Sequence, residues 1–147
     1  MMKLLKLMYF AHGWHLAITD APLVNERPEA WKFGPVFPEV YHAFKRYGRD
    51  PIKRPVERVV LSGSGGKYRI VSSSPDIPDD DFAVALLEQI WSIYGRFTAG
   101  ELSALTHQDG TPWKHAWVEL KGQDISGTDI PQEEIRNFFK AKLPAHV

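Results

Sequence analysis

Glu29-Ala30-Trp31-Lys32-Phe33-Gly34-Pro35-Val36-Phe37-Pro38-Glu39-Val40-Tyr41-His42-Ala43-Phe44-Lys45-Arg46-Tyr47-Gly48 is the stretch from which the architecture is read. Residues 28–36 read as an extended piece closed by the Gly34-Pro35 corner. Pro38 fits the first position of a helix, where its missing N–H has no intrahelical partner to lose. That helix runs to about Tyr47, with Val40, Phe44 and Tyr47 on one face and Tyr41 beside them, and Gly48 stops it. No reaction needs residues in this arrangement. A shaped, aromatic-rich surface for another protein does.

Upstream, Leu4, Leu5, Met8, Phe10, Ala11, Trp14 and Ile18 recur at helical spacing from Met2 to about Ile18, and Leu7 and Leu16 widen the stripe. Polar side chains are scarce on every face, so this helix wants partners on most sides. Lys3, Lys6, His12 and His15 interrupt the apolar run, which is also shorter than the roughly 20 residues a membrane span needs. It has neither the unbroken apolar centre nor the small-residue cleavage site of a signal peptide. Thr19-Asp20-Ala21-Pro22 ends it.

Downstream, Val56–Leu61 and Lys67–Val71 flank Ser62-Gly63-Ser64-Gly65-Gly66, the pattern of a β-hairpin. The glycine-rich tip lacks the Gly-Lys-Ser/Thr ending of a phosphate cradle, and no helix follows it. Ser72–Pro78 reads as a loop. Asp79-Asp80-Asp81 then puts negative charge at a helix start, a better reading than a metal site. Phe82, Leu86, Ile90, Ile93 and Tyr94 mark that helix. Thr98 and Glu101 have capping-box spacing, and Thr111-Pro112 opens a helix bearing Trp113 and Trp117. Asp129-Ile130-Pro131-Gln132 starts the last one, with Ile135, Phe138 and Phe139 as its stripe. The expected fold class is therefore α+β: one mostly helical domain over residues 1–147, with five or six helices and a small antiparallel β element around residues 56–71, to which Trp31 adds an extended strand.

The chemistry expected from these residues is sparse. Eighteen basic and eighteen acidic residues cancel, which leaves no net field to gather nucleic acid or an anionic membrane. The absence of cysteine excludes disulfides and thiol catalysis, and it suits a cytoplasmic protein. His12 and His15 share a helix face without a third ligand nearby, and His107 and His115 flank Asp109 more loosely. Satisfied histidines are the commoner outcome, so no metal and no cofactor is assigned. No serine sits in a Gly-x-Ser-x-Gly elbow, and no catalytic residue is assigned. Of the five tryptophans, three or four are expected to fill the core, with Trp31 the exception. The competing reading has Trp31 tucked under the following helix.

The motif blocks together resemble a known family. Lys3-Leu4-Leu5-Lys6-Leu7-Met8-Tyr9-Phe10-Ala11-His12-Gly13-Trp14 is similar to the KLQKLLYFAQGW opening of the Panacea-domain proteins, the SocA-like antitoxins, which include phage-associated GepA-like proteins. Glu29 to Val36 resembles their EAWKYGPV signature. Leu102 to His107 and Pro112-Trp113 match their closing blocks. The resemblance implies a further helix before the first block, and this chain, whose sequence opens at that block, is expected to lack it.

The resemblance implies a toxin-neutralising role by direct binding, the cognate toxin being encoded by an adjacent gene. The partner contact is expected at Trp31, Lys32, Phe33, Tyr41, Arg46 and Tyr47. Without the preceding helix, the first apolar helix is expected to gain cover by homo-oligomerisation. The alternatives are a protease adaptor or another interaction protein of a phage or mobile element, and, less favoured, an unrecognised enzyme.

Overall fold

A computed structural model describes residues 1–145 of the chain. The elements run α1 (Met2–Thr19), β1 (Glu29–Trp31), β2 (Gly34–Val36), α2 (Pro38–Phe44), a 3-10 turn (Lys45–Tyr47), β3 (Arg58–Ser64), β4 (Lys67–Ser73), α3 (Asp81–Tyr94), α4 (Ala99–Thr106), α5 (Pro112–Val118) and α6 (Gln132–Lys140). The helix ends follow from side-chain caps. Asp80 accepts from the Ala83 N–H at 3.0 Å, Thr98 and Glu101 close a reciprocal capping box, and Thr111 accepts from the Lys114 N–H. Asp20 ends α1 in the left-handed region, its N–H bonded to the Leu16 carbonyl.

α1 is the central helix. It packs against α6, α3, α4 and β2, and it buries Leu5, Tyr9, Phe10, Ala11, Leu16 and Ala17. Aromatic rings from three helices fill the space beside it. Phe10 stacks on Tyr94 at 4.4 Å, Trp14 meets Phe139 at 5.2 Å, and the Trp14 indole donates to the Tyr94 hydroxyl. Gly13 lies so close under the Phe139 ring that a Cβ there would overlap it, which sets the approach of α1 to α6. Two groups on α1 are buried without a hydrogen-bond partner among the described residues: the Tyr9 hydroxyl and both ring nitrogens of His12.

The sheets differ from the sequence expectation. β1 and β2 form their own antiparallel hairpin, with Trp31 opposite Gly34 and Lys32-Phe33 as the turn. The extended piece expected over residues 28–36 therefore folds back on itself. β3 and β4 pair only with each other, around a Gly65-Gly66 turn in which both residues have positive φ. Trp31 thus adds no strand to the second hairpin. The far side of β1 is occupied instead by residues 128–130: Ala30 N–H bonds Thr128 O, and Ile130 N–H bonds Pro28 O.

Candidate functional site

Distant side chains hold the β1–β2 hairpin in place. The Trp31 carbonyl accepts from the Trp113 indole N–H at 2.8 Å, and the Phe33 carbonyl accepts from the Ser103 hydroxyl at 2.8 Å. Between them, the Lys32 carbonyl lies 3.2 Å from Nε2 of His107. Three consecutive tip carbonyls are thereby met by side chains of α4 and α5 or the residue that caps α4. The His107 ring in turn packs edge-on against Trp113, with centroids 3.8 Å apart.

A fourth hold comes from α1. Lys6 is 1% exposed, and its Nζ donates to the Pro35 carbonyl at 2.9 Å. Gly34 makes the crowding possible. Its φ is +109°, and a Cβ there would stand 2.6 Å from Lys6 Cε and 2.8 Å from the Thr106 hydroxyl.

Of the expected contact residues, the structure forms three neighbouring pairs. Trp31 meets Tyr41 edge to face at 4.8 Å, the Lys32 ammonium lies 5.5 Å from the Phe33 ring, and the Arg46 guanidinium lies 5.1 Å from the Tyr47 ring. Lys32, Phe33 and Arg46 are exposed, while Trp31, Tyr41 and Tyr47 are half-buried. Phe33, 62% exposed, lines a groove of about 600 Å³ with Met1, Met2 and Pro51. Trp31 and Lys32 face the other side of the tip, toward Trp117 and the 122–127 loop.

Trp31 is not the exposed tryptophan. Its indole donates to Glu29 at 2.7 Å and its ring rests on Tyr41, as the competing reading had it. The exposed tryptophan is Trp91, at 63%, on the outer face of α3; Trp113 is the fully buried one.

Sequence reasoning passed over the clamps themselves. Lys6, Ser103, His107 and Trp113 all lie in the quoted motif blocks, and the available signal was Lys6, a cation inside an otherwise apolar helix. Three of the perturbed ionisable groups, Lys6, Tyr9 and His12, lie in the core rather than in a groove. Burial lowers Lys6 to about 8, burial and then His15 lower His12 to about 4, and burial raises the Tyr9 hydroxyl.

A concavity of about 680 Å³ includes His115, Glu134 and Thr111. There Glu134 is 2.8 Å from His115 Nδ1, and the Thr111 hydroxyl is committed to the Thr106 carbonyl at 2.6 Å. Among the described residues no three His, Asp or Glu side chains sit close enough together to hold a metal ion.

The antitoxin SocA of Caulobacter vibrioides (strain NA1000 / CB15N) is 41% identical over 113 residues, 76% of this chain and 56% of that protein. The chain thus matches little more than half the length of that relative. No solved structure matches. The family described as antitoxin SocA-like, Panacea domain, matches residues 4–114, which include Lys6, the hairpin, Ser103, His107 and Trp113, and the chain belongs to that family.

Proposed function

We propose that this chain neutralises a cognate toxin, encoded by an adjacent gene, by binding it directly and without turning over a substrate. The contact is made by Trp31, Lys32, Phe33, Tyr41, Arg46 and Tyr47. The observation that carries this reading is the clamped tip: the carbonyls of Trp31, Lys32 and Phe33 are each met by a side chain from distant sequence. Lys32 and Phe33 therefore project from backbone that is ordered before any partner arrives, and preorganisation lowers the ordering cost of association. Tryptophan, tyrosine and arginine are the side chains that dominate interface energetics.

Two further facts support the role. The similar SocA protein is named an antitoxin, and the balanced charge favours protein over nucleic acid as the partner. The site of action is the cytoplasm, where a toxin made in the same cell is met. No helix among the described residues is long and apolar enough to cross a membrane.

The test is co-expression with the product of the adjacent gene, read by growth and by co-purification. Protection together with a stoichiometric complex is the expected result. Trp31→Ala and Arg46→Glu are each expected to weaken the complex about tenfold or more, roughly 1.4 kcal/mol. Unchanged affinity in both variants would move the contact elsewhere. Protection that needs a cellular protease would replace sequestration by delivery to that protease.

A further inference from the structure

Both ring nitrogens of His107 face oxygens that can only accept. Nδ1 lies 2.6 Å from the Ser103 carbonyl, and Nε2 lies 3.2 Å from the Lys32 carbonyl. A carbonyl has no proton to offer, so each contact is a hydrogen bond only if the nitrogen carries the hydrogen. A neutral imidazole carries one N–H and an imidazolium carries two. The Ser103 hydroxyl offers no way out, because it donates to the Phe33 carbonyl at 2.8 Å and stands 3.4 Å from Nδ1. A neutral ring therefore satisfies one carbonyl and turns a lone pair toward the other. The shorter contact, at Nδ1, keeps the proton, and the bond to Lys32 is the one lost.

The surroundings accommodate positive charge on this ring. His107 caps the C-terminus of α4, the negative end of the helix dipole. The Trp113 indole lies 3.8 Å away between centroids, and its ring quadrupole attracts a cation. The charged residues of the adjoining segments are largely engaged elsewhere. On the tip, the Lys32 ammonium lies beside the Phe33 ring, and on α1 Lys6 donates to the Pro35 carbonyl. On α4 itself Glu101 closes the capping box. Asp109, Lys114 and His115 line the concavity next to α5. Lys6 and Lys32 oppose an added charge and Asp109 favours it. Among the described residues no carboxylate forms a salt bridge with His107.

We infer that His107 is a positioning residue for the partner contact: as an imidazolium it donates from both nitrogens, holds the Lys32 carbonyl, and releases it when the proton leaves. The holds from Trp113 and Ser103 do not titrate in this range, so the loosening is confined to the middle of the tip. The effect on binding rests on the reading of that tip as the toxin contact. On that reading, association takes up a proton, and affinity falls as the pH rises. Histidine is the side chain whose charge changes between about pH 5 and 8. Burial lowers His12 to about 4 and Lys6 to about 8, so between about pH 5.5 and 7 each keeps mostly one form.

Nitrogen-15 NMR of the purified chain, labelled at histidine and at the backbone, tests the proton-held tip without a partner. At the acid end both His107 nitrogens are expected to carry hydrogen. As Nε2 loses its own, the amide shifts of Lys32, Phe33 and Gly34 should move with the same midpoint. His107→Gln offers an amide donor that does not titrate, and should hold those three shifts constant while His15, His42 and His115 still titrate. Tip shifts that ignore the His107 titration, loss of the proton from Nδ1 instead of Nε2, or an unchanged slope in His107→Gln each overturn the inference. The wild-type spectra need no variant, so they decide the matter even if the substitution impairs folding.

Affinity for the product of the adjacent gene gives the second arm. It should weaken about fivefold or more over the same pH range in the wild type and stay flat in His107→Gln. A flat wild-type profile overturns the role of His107 in binding. Failure to bind that product at any pH removes the antitoxin reading instead, and the spectra of the free chain then decide the proton-held tip alone.

Discussion

The indole N–H of Trp113 donates to the carbonyl oxygen of Trp31 across 82 residues of sequence, at 2.8 Å. That bond joins the last block of the family pattern to the middle one. Trp113 is 2% exposed, so no water replaces a lost partner readily. Trp113→Phe keeps a ring and removes the donor. It is expected to cost about 2–3 kcal/mol in urea unfolding, from the unpaired carbonyl and the smaller ring together. Amide exchange in β1 and β2 should rise more than elsewhere. Uniform protection across the hairpin would show that the clamp is dispensable.

Gly34→Ala tests the close approach under the tip. Its positive φ disfavours any side chain, and the added Cβ would press on Lys6 Cε and the Thr106 hydroxyl. A loss of roughly 2–4 kcal/mol follows from backbone strain plus the clash. Gly48, with φ of +52° and nothing within 4 Å of the same position, is the control. Its alanine variant carries backbone strain alone and loses less.

His12 makes the fold acid-sensitive. It is fully buried, its ring nitrogens are unpartnered, and its proton affinity in the folded chain is pushed down to about 4. In the unfolded chain a histidine titrates near 6.5. Between those values the unfolded chain holds more protons, so stability is full above about pH 6.5 and declines as the pH falls toward 4. The contribution is on the order of 3 kcal/mol. Urea unfolding at pH 7 and pH 4.5 should show it, and His12→Leu should flatten the slope. An equally steep slope in the variant assigns the effect to other groups.

Lys6 acts with the same sign at the alkaline end. Burial lowers it to about 8 in the folded chain, against about 10.5 when unfolded. Between those values the unfolded chain again binds more protons, so this lysine makes stability rise from pH 8 upward. Thermal melts between pH 8 and 9.5 are the useful window, because the buried Tyr9 hydroxyl opposes the trend once free tyrosines ionise near 10. Lys6→Met keeps most of the stem and should abolish the rise. A persistent rise in that variant would place its origin elsewhere.

Much of this architecture was legible because it is written locally. The caps at Thr98, Thr111 and Asp80 each need residues only a few positions apart, and the Gly65-Gly66 turn needs two glycines with positive φ. The β1–β2 hairpin was not legible, since Lys32-Phe33 carries none of the usual two-residue turn signals. Side chains from residues 103–113 and from Lys6 impose that turn, and short-range patterning does not register such distant support. The exposure of Trp91 was not legible for a related reason. Helical periodicity identifies the stripe of α3 at Phe82, Leu86 and Ile90, but it is silent about a second apolar face on the same helix. His12 was expected to be satisfied, and its burial without a partner is a property of the packed core alone.

The clamp on the β1–β2 tip has a consequence for the chain as it leaves the ribosome. Residues 29–36 are synthesised early, but the donors that hold the Phe33 and Trp31 carbonyls arrive only with Ser103 and Trp113. Most of the polypeptide must therefore emerge before the tip acquires its final form, and a product truncated near residue 100 would carry the aromatic segment without its shape. In a pool of nascent chains, the final shape of the tip would follow synthesis through Trp113 rather than the appearance of residues 29–36 themselves.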